Sequence, residues 1–359
     1  MAETLLTDEV LQRGLHVCEL GDPAAGDGSR ELRVFFDASK AGRQARVVLS
    51  AAELGSMGAT RAALEAKLQL PPRPAPRQPW ALFSPSGQRL ESTEDLFAAA
   101  AAAGGVFLVL EGGVYVRPGV RVGHTQQVSA EDGRILEVVT QSLTPLIFSI
   151  KDFLTDDDCS HVIEKASGMM FNSPVVTMDK DLGKAATEWR TSRQAWLDSD
   201  LTPTISAMTE RVARLVSCPP EYQESLQVLS YGLRQKYDVH LDAFDPQFYQ
   251  QKPDFLQRID QGHRNRLATA FWYMTDVEEG GETIFPRAGG LPHPGCNNVD
   301  ELQAKKVGLL VAPVKGKIII FYNMLPNGEI DHMSLHGGCP VLKGEKWAAN
   351  KWIWNNVPM

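Results

Sequence analysis

The C-terminal half of the chain is a series of short runs of β-branched and aromatic residues, and this pattern most constrains the fold. Five such runs are Leu226–Tyr231, Tyr237–Leu241, Ala268–Met274, Lys317–Tyr322 and Lys351–Trp354. They follow two segments of helical character, 156–168 and 202–215. Helices followed by many short strands favour a sheet sandwich or barrel backed by helices.

The length of 359 residues favours two domains. We predict a small domain over 1–115, a linker over 116–135 that contains glycine and charged residues, and a larger domain over 136–359. In the first of these, strand-like runs and helical segments alternate. Strands are predicted at 31–36, 45–49, 80–83 and 106–110, and helices at 60–70 and from an N-cap at Thr93.

This order of elements, with its ending FLVLEGG, resembles a ubiquitin-like β-grasp domain of the CIDE-N branch. The small domain contains no cluster of catalytic residue types. It is therefore interpreted as an interaction or docking module, and a purely structural appendage is the alternative.

The overall charge and the cysteines exclude several classes of protein. A net charge of -8 argues against a dedicated nucleic-acid binder, whose phosphate contacts need a basic face. No apolar run is long enough to cross a bilayer, and the acidic N-terminus is unlike a signal peptide. Five scattered cysteines are typical of free thiols. We expect a cytoplasmic or nuclear protein.

The segment Tyr237-Asp238-Val239-His240-Leu241-Asp242 contains two candidate metal ligands. On a strand, His240 and Asp242 point to the same face. A histidine from a distant strand would complete a 2-His-1-carboxylate set, which suits iron(II) because it leaves coordination positions open. Alone, such a pair is more often solvent-facing.

Among the eight histidines, His332 and His336 are the best placed to supply the third ligand. The other histidines fall outside the larger domain, on an early helix or in loops. Lys346 follows His336 by ten positions. A lysine held inside a barrel could pair with the distal carboxylate of 2-oxoglutarate, although an ordinary surface lysine is the alternative.

Three long segments, Tyr231–Asp242, Asn265–Pro286 and Gly308–Trp354, resemble the prolyl 4-hydroxylase family of 2-oxoglutarate dioxygenases. The shorter blocks Phe153–Cys159 and Trp189–Ser192 resemble it too, so that the likeness covers about 145–355. The resemblance implies an α+β fold with a double-stranded β-helix (jelly-roll) core and flanking helices. With a lysine at position 346, the chain resembles the collagen and plant-type branch of this family.

The resemblance also implies a role for each matching residue. Iron would be bound by His240, Asp242 and His336, and the distal carboxylate of 2-oxoglutarate by Lys346 with Tyr231 and Thr283. The positions that match a peptide groove are Tyr237, Arg190, Arg266 and Trp352. Physical alternatives stay open, because the two arginines could pair with acidic residues and the tryptophan could belong to the core.

The implied reaction hydroxylates proline in a peptide or protein and converts 2-oxoglutarate to succinate. It requires iron(II), 2-oxoglutarate and dioxygen, and we expect ascorbate to support it. The alternatives are hydroxylation of a free amino acid or small molecule, and an inactive scaffold that recruits partners. The aromatic-rich residues 243–264, called the insertion below, are expected to form either a mobile loop over the substrate or an ordered insertion.

Overall fold

A computed structural model describes residues 2–72, 78–130, 133–174, 178–179 and 189–358. The chain divides into two compact units. Unit 1 comprises residues 1–121, 216–218 and 325–329, and unit 2 comprises 122–215, 219–324 and 330–359. All five cysteines are free thiols, as predicted. In the part of the chain that the structure describes, no helix is long and apolar enough to span a membrane.

Unit 1 contains a five-stranded antiparallel sheet with the order β3-β2-β1-β5-β4. Its elements are β1 (Leu15–Pro23), β2 (Arg30–Phe35), β3 (Gln44–Leu49), α1 (Met57–Leu68), β4 (Ala81–Phe83), α2 (Thr93–Ala102) and β5 (Val106–Leu110). The four predicted strands are present. Strand β1 was not predicted, yet it lies at the centre of the sheet. The β-grasp interpretation stays a prediction.

The core of unit 1 forms because its strands alternate and its helices are amphipathic. Leu32 and Val34 of β2 are fully buried, and so is Leu64 of α1. Helix α2 begins one residue earlier than predicted, because Ser92 rather than Thr93 is the N-cap and forms a capping box with Asp95. The sequence 71–79 is rich in proline and is typical of a loop, and most of it lies outside the described residues.

Unit 2 contains a nine-stranded sheet with the order β6-β7-β8-β17-β13-β20-β11-β10-β9, a four-stranded sheet with the order β12-β18-β15-β16, and the pair β14-β19. Its strands are β6 (Thr125–Ser129), β7 (Ile135–Leu143), β8 (Leu146–Ile150), β9 (Phe171–Asn172), β10 (Arg193–Leu197), β11 (Leu226–Tyr231), β12 (Tyr237–His240), β13 (Arg266–Tyr273), β14 (Glu279–Gly280), β15 (Thr283–Phe285), β16 (Leu309–Val311), β17 (Ile318–Tyr322), β18 (His336–Gly338), β19 (Val341–Lys343) and β20 (Lys346–Trp354). Strand β6 lies within residues 116–135, where a linker was predicted.

The two larger sheets of unit 2 pack face to face through apolar side chains. The large sheet contributes Phe271 of β13 and Phe321 of β17, and the small sheet contributes Phe285 of β15. The ring centroids of Phe285 and Phe321 lie 5.1 Å apart. Two antiparallel sheets enclosing one apolar interior form the predicted jelly roll.

The helices of unit 2 are α3 (Asp156–Ser167), α4 (Pro203–Val216), α5 (Pro253–Arg258) and α6 (Val299–Ala304). Helix α3 lies against β10 and β11 of the large sheet. It begins with a capping box between Thr155 and Asp158, and Asp158 also accepts a hydrogen bond from Arg211 of α4 at 2.9 Å. The flanking helices are therefore joined to each other as well as to the sheet.

Candidate functional site

His240 and His336 face each other across the neighbouring strands β12 and β18. They are Cα partners in the ladder, and their ring centroids lie 4.6 Å apart. In each ring, Nδ1 lies 2.9 Å from a main-chain oxygen, that of Asp238 or Ser334. Because a carbonyl oxygen can only accept, Nδ1 carries the proton and Nε2 keeps its lone pair.

Asp242 lies in the loop that follows β12, two residues beyond its end, and not on the strand as predicted. The carboxylate still reaches both imidazoles: Oδ1 lies 3.7 Å from Nε2 of His240, and Oδ2 lies 3.5 Å from Nε2 of His336. Thr269 Oγ1 donates to Oδ2 at 2.7 Å, and Asn323 Nδ2 donates to that hydroxyl at 3.0 Å. These hydrogen bonds hold the carboxylate from behind.

We call His240, Asp242 and His336 the metal corner. Their three ligand atoms lie within 4.8 Å of one another, and no other such group of metal-ligating residues occurs among the described residues. Two imidazole nitrogens and one carboxylate oxygen form the donor set expected for iron(II). The orientation of both rings by outer hydrogen bonds is typical of metal sites.

Burial and neighbouring charges determine the protonation states in the metal corner. Burial, and then the imidazole of His336, lowers the pKa of His240 to about 3. Burial alone would raise the pKa of Asp242, but the two imidazoles, Arg266 and the Thr269 hydroxyl outweigh it and bring the pKa to about 2. The metal corner therefore presents a neutral His240 and an ionised Asp242 at neutral pH, which are the forms that bind a metal.

Lys346, the first residue of β20, lies between the two sheets and is 1% exposed. Its Nζ donates to Gly281 O at 2.7 Å and lies 5.2, 5.3 and 5.6 Å from the ring centroids of Tyr231, Phe271 and Tyr273. It forms no ion pair with any carboxylate in the described ranges, and burial lowers its pKa to about 8. A buried cation without an anionic partner is a candidate site for a carboxylate ligand.

The lysine chamber consists of Lys346, Tyr231, Phe271, Tyr273 and Thr283. Tyr273 was not predicted, and its hydroxyl donates to Thr283 Oγ1 at 2.7 Å. Thr283 therefore accepts from Tyr273 and keeps its own proton to donate elsewhere. Its position and that of Tyr231 agree with a role in binding a carboxylate.

Two glycines just before Thr283 shape the backbone beside the lysine chamber. Gly280 and Gly281 have φ angles of 77° and 71°, in the left-handed region that favours glycine. A Cβ atom at Gly280 would lie 2.3 Å from Pro340 O, and the carbonyl of Gly281 is the acceptor for Lys346. This glycine pair is thus more than an ordinary turn.

A cavity of about 670 Å³ opens beside the metal corner, with His240 and Asp242 in its wall. All four residues predicted to form a peptide groove line it: Tyr237, Arg190, Arg266 and Trp352. Much of the remaining wall is aromatic, namely Trp189, Trp196, Phe244, Phe248 and Tyr249. Such a wall suits a substrate with apolar rings.

Arg266 pairs with an acidic residue, which was the alternative interpretation of the two arginines. Its Nε and Nη2 atoms donate to the two carboxylate oxygens of Glu224 at 2.6 and 2.9 Å. Its Cζ lies 3.5 Å from the ring centroid of Trp352. Arg266 therefore orients the indole, and Glu224 is a residue of the site that sequence reasoning missed.

Two buried donors in the cavity wall have no hydrogen-bond partner among the described residues: Arg190 Nη2 and Trp352 Nε1. The Nε atom of Arg190 donates to Ser192 Oγ at 3.1 Å, and Cζ lies 4.5 Å from the ring centroid of Tyr237. Unsatisfied buried donors are costly unless a ligand pairs with them. The carbonyl groups of a peptide are suitable acceptors.

The insertion is ordered and forms one wall of the cavity. Asn265 is fully buried, accepts from Phe244 N at 2.9 Å and donates to Phe244 O at 2.8 Å. The apolar residues of the insertion pack with the last strand in one cluster: Phe244, Tyr249, Leu256, Ile259 and Trp354. The segment is packed here as the ordered alternative expects, and its closure over a substrate stays a prediction.

The sequence of this chain is similar to those of known proteins. Residues 226–354 match the family model of the 2OG-Fe(II) oxygenase superfamily. Prolyl 4-hydroxylase 13 of Arabidopsis thaliana is 38% identical over 212 residues, which cover 59% of this chain and 72% of the relative. Probable prolyl 4-hydroxylase 8 of the same plant is 39% identical over 231 residues, which cover 62% and 73%.

Solved structures are more distant. The viral collagen prolyl hydroxylase of Paramecium bursaria Chlorella virus-1, in complex with 2OG, is 25% identical and covers 58% of this chain and 95% of its own, with a TM-score of 0.40. The likeness of this chain to known proteins therefore rests on the sequence relatives.

Proposed function

Because the chain belongs to the prolyl 4-hydroxylase family, we infer that it is an iron(II)- and 2-oxoglutarate-dependent dioxygenase that hydroxylates proline in a peptide or protein. One observation carries this conclusion at the level of the residues. A metal corner with two imidazoles and a carboxylate shares one jelly roll with Lys346, a buried cation that lacks an anionic partner.

In this proposal, His240, Asp242 and His336 hold the iron. Iron bound there would activate dioxygen, which is the oxidant: one oxygen atom would enter the C–H bond as a hydroxyl group, and the other would oxidise 2-oxoglutarate to succinate and carbon dioxide. Thr269 keeps the Asp242 carboxylate in place, and the main-chain oxygens behind the histidines keep both Nε2 atoms available.

The lysine chamber would orient 2-oxoglutarate. Lys346 would pair with the distal carboxylate, and the Thr283 hydroxyl would donate a hydrogen bond to the same carboxylate. The aromatic rings around Nζ exclude water and so strengthen this pairing. Both residues therefore act by binding and orientation.

The cavity would bind the proline-containing segment. The Trp352 ring, held by Arg266, offers an apolar face for a pyrrolidine ring. The unpaired Nη2 of Arg190 and Nε1 of Trp352 would donate to carbonyl groups of the substrate. A peptide has a carbonyl group at every residue, so it can supply an acceptor for each of these donors.

Three further expectations belong to the proposal. Unit 1 would dock a protein partner, the role that its resemblance to a β-grasp domain suggests. Ascorbate would sustain turnover, and the protein would work in the cytoplasm or nucleus.

The test is mass spectrometry of a proline-rich peptide after incubation with the enzyme, iron(II), 2-oxoglutarate and ascorbate, with free proline in a parallel reaction. We expect the mass of one oxygen to be added to proline in the peptide, and succinate to form in equal amount. Turnover of free proline alone would favour the small-molecule alternative. Failure to bind iron(II) and 2-oxoglutarate would favour the inactive scaffold.

A further inference from the structure

A second lysine points into the interior of the jelly roll next to the lysine chamber. Lys317 immediately precedes β17, and the inward-facing residues Ile319 and Phe321 follow it at positions i+2 and i+4. Because side chains alternate along a strand, this spacing places Lys317 on the inner face. Only 8% of the residue is exposed.

Lys317 and Lys346 share one aromatic ring. The Nζ atom of Lys317 lies 5.0 Å from the ring centroid of Tyr273, and that of Lys346 lies 5.6 Å from the same centroid. Strand β13 ends beside the start of β17 here, and Tyr273 N donates to Lys317 O at 3.0 Å. The ring that Lys317 contacts is therefore the one whose hydroxyl orients Thr283.

The surroundings of Lys317 leave its charge uncompensated. Nζ donates to the main-chain oxygen of Ala312 and forms no ion pair within the described part of the chain. Burial, and then Lys151, lowers the pKa of Lys317 to about 8. Burial is also the main cause of the lowered pKa of Lys346, and Lys317 adds to it. Two buried cations at one end of the interior favour a ligand with an anionic group there.

We propose that Lys317 is a positioning residue for 2-oxoglutarate, which holds the Tyr273–Thr283 pair and adds a second positive charge behind the distal carboxylate. The inference rests on the proposed function, since it assumes that 2-oxoglutarate occupies the lysine chamber. Lys317 acts through Tyr273 and through its charge, without touching the ligand. Its effect therefore depends on the presence of the distal carboxylate.

The test is calorimetric titration of the anaerobic, iron(II)-loaded protein with two ligands. One is 2-oxoglutarate, and the other is 2-oxopentanoate, which keeps the 2-oxo acid but lacks the distal carboxylate. Lys317→Gln removes the charge and keeps a donor for Ala312 O, whereas Lys317→Arg keeps the charge. Lys315→Met is the matched control, because Lys315 is a partly exposed neighbour that pairs with Asp156 at 2.7 Å.

We expect Lys317→Gln to raise the Kd of 2-oxoglutarate about tenfold and to change that of 2-oxopentanoate less than about twofold. Lys317→Arg should stay within about threefold of the parent, and Lys315→Met should bind both ligands normally. Normal binding of 2-oxoglutarate by Lys317→Gln, or equal weakening of both ligands, would overturn the inference. If the parent protein does not bind 2-oxoglutarate at all, the proposed function fails as well.

Discussion

The metal corner and the lysine chamber lie in the same jelly roll, yet their charges are unbalanced in opposite directions. The metal corner has one carboxylate between two imidazoles, and each of these groups is hydrogen-bonded from behind. The lysine chamber has a buried ammonium with only a main-chain oxygen and aromatic faces around it. The first is preformed for a cation and the second for an anion. In the proposed function, a ligand with a 2-oxo acid at one end and a carboxylate at the other would satisfy both.

Removal of one ligand of the metal corner should have the largest effect. His240→Ala deletes one of three ligands, so we expect iron(II) binding to be lost and succinate formation to fall by at least about a thousandfold. Metal content after dialysis and succinate release measure the two effects. Retained iron together with retained turnover would show that the ligands lie elsewhere.

His332 provides the matched control for the third ligand. It was the other candidate near the C-terminus, but it lies at the mouth of the cavity, 51% exposed in its side chain, with Nδ1 at 3.6 Å from Asp245 Oδ2. We expect His336→Ala to behave like His240→Ala and His332→Ala to retain its iron. The reverse result would reassign the third ligand.

Removing the charge of the lysine chamber should leave the metal corner intact. In Lys346→Met the distal carboxylate of 2-oxoglutarate loses its partner, so we expect its Kd to rise by roughly a hundredfold or more. Iron content should not change. Calorimetry on the anaerobic iron(II) protein measures the affinity, and Lys343→Met, which removes an exposed lysine paired with Glu278, is the control. A normal Kd in Lys346→Met would show that this lysine does not contribute to the binding of 2-oxoglutarate.

These two regions differ in how far their residues could be predicted from the sequence. All three residues of the metal corner were named from the sequence, but the choice of His336 over His332 came from the family resemblance. The strand was also predicted to reach further than it does, because Asp242 lies past its end. The position of Asp242 depends on the hydrogen bond from Thr269, a contact between residues 27 positions apart that no local pattern encodes. Alternation from Phe271 and Tyr273 could have placed Thr269 on the inner face, but alternation does not identify its partner.

The lysine chamber and unit 1 show the limits of local patterns. Lys346 and Thr283 were predicted, whereas Tyr273 and Lys317 were not, because a buried lysine and a surface lysine look alike in one sequence. In unit 1, β1 was overlooked because polar residues interrupt its apolar positions. It is nevertheless a central strand, since pairing with β2 and β5 on both sides decides its position.

Thr269→Val tests how much the hydrogen bond from Thr269 to Asp242 contributes to the iron(II) affinity of the metal corner. The valine removes the donor to Asp242 Oδ2 and keeps the shape, so we expect iron(II) affinity to fall by roughly 10- to 100-fold. Competition with a chelator measures the affinity. Thr275→Val is the control, because Thr275 is partly exposed and its hydroxyl bonds only to main-chain groups, donating to Glu345 O and accepting from Trp347 N. Equal affinity in both variants would contradict a role for Thr269 in holding the ligand.

The smallest effect is a pH dependence that should arise in the lysine chamber. Burial lowers the pKa of Lys346 to about 8 in the free protein, and pairing with a carboxylate would favour the protonated form. Below pH 8 the ammonium is present, so the Kd of 2-oxoglutarate should not vary because of this group. As the pH rises above 8 the free protein loses that proton, and the Kd should increase by up to about tenfold per unit. Calorimetry from pH 7 to 9.5 measures this rise. The part of the rise that comes from Lys346 should disappear in Lys346→Arg, whose guanidinium stays charged, and the part that comes from Lys317, whose pKa is also about 8, should remain. An undiminished rise in Lys346→Arg would show that Lys346 does not cause it.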